Sequence, residues 1–231
     1  MIDIRPLASL GHANHGWLDA YHHFSFAGYH DPDRMGWGAL RVWNDDSIVG
    51  GAGFPPHGHR DMEIITYVRA GAISHEDSLG NAGRTRAGQV QVMSAGRGIQ
   101  HSEFNMEDEE TRIFQIWIEP REKGGDPFWD MRTFPDAGAS GFTVLASGYD
   151  ADKGALPIRA DGRLLAATLE AGTVLPYRLP DDMRAYIVAD VGAYRINGQD
   201  VKARDGVAVR DETDLLIEAT KETTLLLMET A

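Results

Sequence analysis

The stretch Pro56-His57-Gly58-His59-Arg60-Asp61-Met62-Glu63-Ile64-Ile65-Thr66-Tyr67-Val68 can be laid over Pro176-Tyr177-Arg178-Leu179-Pro180-Asp181-Asp182-Met183-Arg184-Ala185-Tyr186-Ile187-Val188 at a nearly constant offset. Each copy reads as a short extended segment, a polar turn, and then a strand rich in β-branched and aromatic residues. Further along, Ala87-Gly88-Gln89-Val90-Gln91-Val92 matches Asp205-Gly206-Val207-Ala208-Val209, a glycine turn followed by a strand in both cases. A pattern that recurs at this distance points to a duplicated β unit. His57 and His59 become Tyr177 and Leu179 in the second copy, so the two units share a fold and differ in chemistry.

Working outward, further segments carry the same strand signature: Ala39 to Trp43, Glu63 to Val68, Gln89 to Met93, Thr111 to Ile118, Leu164 to Leu169, Ala185 to Ala189, Gly206 to Val209, Leu215 to Glu218 and Thr224 to Met228. Between them fall turn signals, among them Asn44-Asp45-Asp46, Gly80-Asn81-Ala82-Gly83, Pro180-Asp181-Asp182 and the hairpin-type Asn197-Gly198. This rhythm predicts an all-β sandwich or barrel. No apolar 3.6-residue period is sustained, so helices should be few and short. With 231 residues the chain suits one large β-barrel or two small domains, two units being the first reading, and Lys123-Gly124-Gly125-Asp126-Pro127 is the candidate linker.

All nine histidines lie between His12 and His101, so any imidazole chemistry belongs to the first unit. There is no cysteine, which excludes disulfides, thiolate metal sites and a cysteine nucleophile. The net charge of −13 leaves no broad cationic surface for direct nucleic-acid binding. No apolar run approaches bilayer length and the N-terminus has no signal-peptide pattern, so the expectation is a cytoplasmic protein without a membrane partner.

In a strand, His57 and His59 share one face and Gly58 points away. His101-Ser102-Glu103 repeats that spacing with one imidazole and one carboxylate, after the glycine-punctuated Ser94-Ala95-Gly96-Arg97-Gly98. If the two strands are neighbours, four donors converge. Three imidazoles and a carboxylate suit a borderline divalent ion and, in octahedral geometry, leave two positions for chemistry.

Gly51-x5-His57-x-His59-x3-Glu63 resembles the first cupin motif, and Gly88-x5-Ser94-x-Gly96-x4-His101-x3-Asn105 resembles the second, with Ser94 where proline is usual and two additional residues before the histidine. Gly11 to Asp19, His23-Phe24-Ser25-Phe26, Asp31-Pro32, Leu40 to Asp46 and Met93 to Glu103 resemble the bacterial form of the pirin family. The resemblance is dense over residues 11–118 and rests on length and strand pattern beyond them. It implies a bicupin: a metal-binding cupin barrel in residues 1–122 and a cupin barrel without metal ligands in residues 123–231. It also implies the ligand set His57, His59, His101 and Glu103 around one divalent transition metal, iron(II) first, with nickel, copper, manganese, cobalt or zinc as alternatives. Glu63, the usual fourth ligand of cupins, is then assigned to supporting the site or to structure.

The activity implied is that of a quercetin 2,3-dioxygenase, a metal-dependent enzyme acting on a flavonol with O2, with Glu103 as proton acceptor. The alternative implied is a metal-containing regulatory protein with a protein partner, in which flavonol cleavage is promiscuous. A monomer is expected. Of the remaining residues, His23, Phe24 and Phe26 are assigned to the neighbourhood of the site. His12, His15, His22, His30 and His75 are assigned to turns or surface strands, and Glu107 to Glu110 to a solvated hairpin tip.

Overall fold

The computed structural model describes residues 1–134 and 141–231. The regular secondary structure of the described residues is β-strand throughout, apart from one 3-10 turn at Leu7–Ser9. None forms a helix long and apolar enough to cross a membrane. The chain divides into two compact units, each an antiparallel double-sheet barrel.

In the unit comprising residues 11–134 and 156–160, the larger sheet runs Phe128–Thr133, Gln89–Ser94, Glu63–Ala70, Thr111–Ile118, Leu40–Ile48, Leu18–His22 and Gly11–Asn14. A four-stranded sheet runs Gly53–His59, Ile99–Phe104, Ala72–Asp77 and Ala82–Arg86. In the other unit the same order recurs. The larger sheet runs Ile2–Arg5, Gly206–Val209, Arg184–Val191, Thr223–Thr230, Gly162–Leu169 and Thr143–Ser147, and the smaller one Val174–Arg178, Asp214–Ala219, Ala193–Ile196 and Gln199–Lys202. The duplication read from the sequence is therefore a duplicated topology. The hairpin at Asn197-Gly198 has the two positive φ values, 47° and 81°, that a tight two-residue turn requires.

Two features differ from the sequence reading. The unit boundary does not follow a cut at 122/123. Ile2–Arg5 pairs with Gly206–Val209 in the second unit, and Phe128–Thr133 pairs with Gln89–Ser94 in the first. Each covers the outer strand of its sheet, where backbone N–H and C=O groups would otherwise lack partners, and the local sequence carries no sign of which strand does so. The second feature is Asn44-Asp45-Asp46, which is not a turn: it lies inside the nine-residue strand Leu40–Ile48, fully paired with Thr111–Ile118. Three polar residues suit this strand because Asp45 forms an ion pair with Arg69, while Asn44 and Asp46 border an internal cavity.

The interiors differ in kind. The second unit is filled by Leu165, Leu169, Ile187, Ile217, Leu225 and Leu227, each at most 5% exposed. Such burial contributes about 1.5–3 kcal/mol per side chain. The first unit has an apolar floor of Leu18, Ile48, Val68, Ile73 and Ile113. Above it sits a buried polar belt of Asn44, Asp46, Thr66, Gln91 and Gln115.

Candidate metal centre

Gly53–His59 and Ile99–Phe104 are adjacent antiparallel strands, and their register sets His57 directly opposite His101. The register shifts between His101 and Glu103, so that Glu103 pairs with Phe54. Alternation along Gly53–His59 sends His57 and His59 to one side and leaves Gly58 exposed on the other. The three imidazoles meet with ring centroids 4.5–5.0 Å apart, and one nitrogen from each lies within 4.8 Å of the others. The Nε2 atoms of His57 and His101 are 3.1 Å apart.

These donors fit a divalent cation. His57 Nδ1 lies 2.8 Å from the Pro55 carbonyl oxygen, which can only accept, so Nδ1 carries the proton and Nε2 offers a lone pair. His59 Nε2 is buried and has no hydrogen-bond partner among the described residues. Burial, with the other imidazoles adding to it, lowers the pKa of His59 to about 4 and that of His101 to about 3. The neutral, metal-binding form thus prevails at neutral pH.

Glu103 is 2% exposed and borders the same cavity as the three histidines. One of its oxygens groups with one nitrogen each of His101 and His75, all within 4.8 Å of one another. One carboxylate oxygen accepts from Gln91 Nε2 at 2.6 Å and Thr66 Oγ1 at 3.3 Å, and the other from Gln115 Nε2 at 2.6 Å. Burial raises its pKa to about 7 against these hydrogen bonds, which pull the other way. The carboxylate is thus fixed in direction and close to balance between its two protonation states.

The cavity holds about 360 Å³. Phe26, Phe54, Ile64 and Trp117 make its apolar walls, and His22, Asn44 and Asp46 supply polar groups away from the imidazoles. Phe26 and Trp117 meet edge to face at 5.4 Å, and Trp117 packs edge-on against His59 at 4.8 Å. Phe26 therefore lines the cavity, whereas His23 and Phe24 are fully buried outside it, His23 packing beside Trp43.

Two other assignments change. His22 is not at the surface: it is 5% exposed, lines the cavity and bonds through Nδ1 to Asn44 Oδ1 at 2.9 Å. His75 is 1% exposed and contacts His101. Both fall on strands whose inward face only the sheet pairing reveals, and His12, His15 and His30 are exposed as expected. Glu63 is a structural partner, accepting from Ser94 Oγ at 2.6 Å and from the Arg159 amide at 3.0 Å. The turn around Asp61, with its φ of 50°, breaks the alternation that would have put Glu63 beside His59, and Ile64 faces the cavity instead.

Asp46 is the residue that sequence reading missed. It is 2% exposed, its Oδ1 has no hydrogen-bond partner among the described residues, and burial followed by repulsion from Asp45 and Glu103 raises its pKa well above the usual carboxylate range. The available signal, a carboxylate in an otherwise strand-like run, was read as a turn.

Residues 4–118 match the family model described as Pirin, and residues 144–230 match the one described as the quercetinase C-terminal cupin domain. A pirin-like protein of Caulobacter vibrioides is 56% identical over 100% of both chains. A protein of Escherichia coli K12 named quercetin 2,3-dioxygenase is 43% identical over 99% of this chain and 98% of that one. Among solved structures, a bacterial pirin from Escherichia coli in complex with nickel(II) superposes with a TM-score of 0.95 at 42% identity, covering 100% of this chain and 99% of that one.

Proposed function

The chain belongs to the pirin family, and from that premise we propose that it is a metal-dependent dioxygenase that cleaves a flavonol such as quercetin with O2. The observation that carries this reading is the convergence of the His57, His59 and His101 nitrogens at one end of a cavity with aromatic walls, with the buried carboxylate of Glu103 bordering the same space. His57, His59, His101 and Glu103 are the ligand set. Iron(II) is the first candidate, with nickel, copper, manganese, cobalt and zinc as alternatives. Once bound, the ion supplies Lewis acidity toward the flavonol 3-hydroxyl and its neighbouring carbonyl, and brings O2 within reach.

The protein's own contribution is positioning and proton transfer. Phe26, Phe54 and Trp117 accept the faces and edges of a flat polyphenol and exclude water. Glu103 accepts the proton of the 3-hydroxyl. Gln91 and Gln115 keep its oxygens from rotating while it does so. The ionised flavonol is then electron-rich enough to react with O2, opening the central ring and releasing carbon monoxide.

Aerobic incubation of metal-loaded protein with quercetin tests this directly. The flavonol absorption band should bleach with one O2 consumed per flavonol, and His57→Ala should abolish the reaction. Absence of bleaching with each of the candidate metals would overturn the dioxygenase reading in favour of a regulatory protein.

A further inference from the structure

We propose that His75 and Asp77 form a positioning relay that fixes the tautomer and direction of His101, so that its Nε2 is presented bare to the metal. The inference rests on the metal site proposed above and adds two residues to it.

The relay starts from Asp77. Its Oδ1 accepts the backbone amides of Leu79 at 2.9 Å and Asn81 at 3.1 Å, and its Oδ2 accepts from Asn81 Nδ2 at 2.9 Å. Burial pushes this carboxyl up, but the hydrogen bonds from Asn81, His75 and the backbone outweigh it and hold it below the usual range. Asp77 is therefore an ionised acceptor, and His75 Nε2, 3.2 Å from Oδ2, must donate to it. A neutral imidazole that donates through Nε2 has a bare Nδ1. His75 Nδ1 lies 3.4 Å from His101 Nδ1, a long contact in which His101 is then the donor. With its proton on Nδ1, His101 has only a lone pair at Nε2, facing the lone pair of His57 Nε2 at 3.1 Å. Hydrogen bonding from the remote nitrogen of a ligating imidazole to a carboxylate, here through one intervening imidazole, both orients the ring and raises its basicity.

The surroundings hold the relay in place. The side chains of His75 and Asp77 are closed off from solvent. The Trp129 ring stacks on the His75 imidazole at 4.9 Å with an interplanar angle of 9°. Gly83 stands opposite His75 in the sheet, and a Cβ there would lie 2.2 Å from the Trp129 ring. The strand pair thus leaves room for the tryptophan that stacks on His75.

The test is binding of cobalt(II) to the metal-free full-length chain, followed by calorimetry and by the visible absorption of the bound ion. His75→Phe keeps a flat ring against Trp129 and removes the acceptor. It should weaken cobalt binding roughly tenfold to a hundredfold and shift the absorption bands. His75→Gln can accept from His101 and donate to Asp77, and should recover binding to within about threefold of wild type with the wild-type spectrum. Wild-type affinity and spectrum in His75→Phe, or a His75→Gln variant as weak as His75→Phe, would overturn the relay while leaving the metal site intact. A wild-type chain that binds no cobalt would overturn the metal site and the relay with it.

Discussion

His57 and His101 stand opposite each other on neighbouring antiparallel strands with their Nε2 atoms 3.1 Å apart. The Nδ1 proton of His57 is committed to the Pro55 carbonyl, so its Nε2 has nothing to donate across that gap. A cation between the rings turns the approach of two electron-rich atoms into a bond from each.

One divalent ion per chain should therefore raise the unfolding temperature. At a free metal concentration one hundred times Kd, the stabilisation is about 2.7 kcal/mol. Differential scanning calorimetry with nickel(II) or iron(II), reversed by a chelator, measures it. His101→Ala should eliminate the metal-dependent part, and an undiminished shift in that variant would place the ion elsewhere.

Replacing Glu103 by Gln removes the proton acceptor while leaving three imidazoles. We expect kcat for quercetin to fall by roughly 10²-fold or more, with metal still detectable in the purified protein. Turnover within a few-fold of wild type would show that another group takes the proton.

Three groups of the candidate site have large shifts that make the stability of the metal-free protein depend on pH. His59 and His101 have pKa values of about 4 and about 3 against an ordinary 6.5, so from pH 6.5 downward the unfolded chain binds protons that the folded one does not, and stability falls. Glu103, at about 7 against 4.5, acts oppositely: between those values the folded protein holds the additional proton, and stability falls as pH rises. His22 and His75, lowered by burial, act with these imidazoles, while Asp46 and Glu63, raised by burial, act with Glu103, so stability falls toward acid and toward alkaline pH. Urea unfolding from pH 4.5 to 8 should show it, and His101→Asn should flatten the acid side relative to wild type.

Asp46→Asn should stabilise the metal-free protein, because a buried carboxyl oxygen without a partner is replaced by a neutral amide. The raised pKa means that the ionised form is the costly one, so the gain should grow as pH rises above the ordinary carboxylate range. An unchanged or lower unfolding temperature at pH 9 would mean that Asp46 is satisfied when folded.

Phe26→Ala opens the wall that Phe26 makes with Trp117. KM for quercetin should rise about tenfold, in line with the loss of one aromatic contact of about 1–1.5 kcal/mol, with kcat less affected. Steady-state kinetics separates the two, and an unaltered KM would remove Phe26 from the substrate surface.

Much of the site is legible because strand alternation is a local rule. His57-Gly58-His59 shares a face by parity alone, and His101 and Glu103 follow the same rule. Glu63 shows where the rule stops: one residue with positive φ, Asp61, ends the strand and resets the alternation. His22, His75 and Asp46 were illegible for a different reason. Each is a polar residue in a strand, and whether such a residue faces water or the barrel interior depends on which sheet covers it.

The sequence by itself determined the all-β class, the duplication and the histidine pairs, since these rest on periodicity and on residue type along a short stretch of chain. Only the tertiary structure decided that Ile2–Arg5 and Phe128–Thr133 complete different sheets, that Glu103 is clasped by Gln91 and Gln115, and that His75 backs His101. Those facts depend on strand pairing between residues far apart in sequence, and the register of such pairing is set by the packing of the whole barrel.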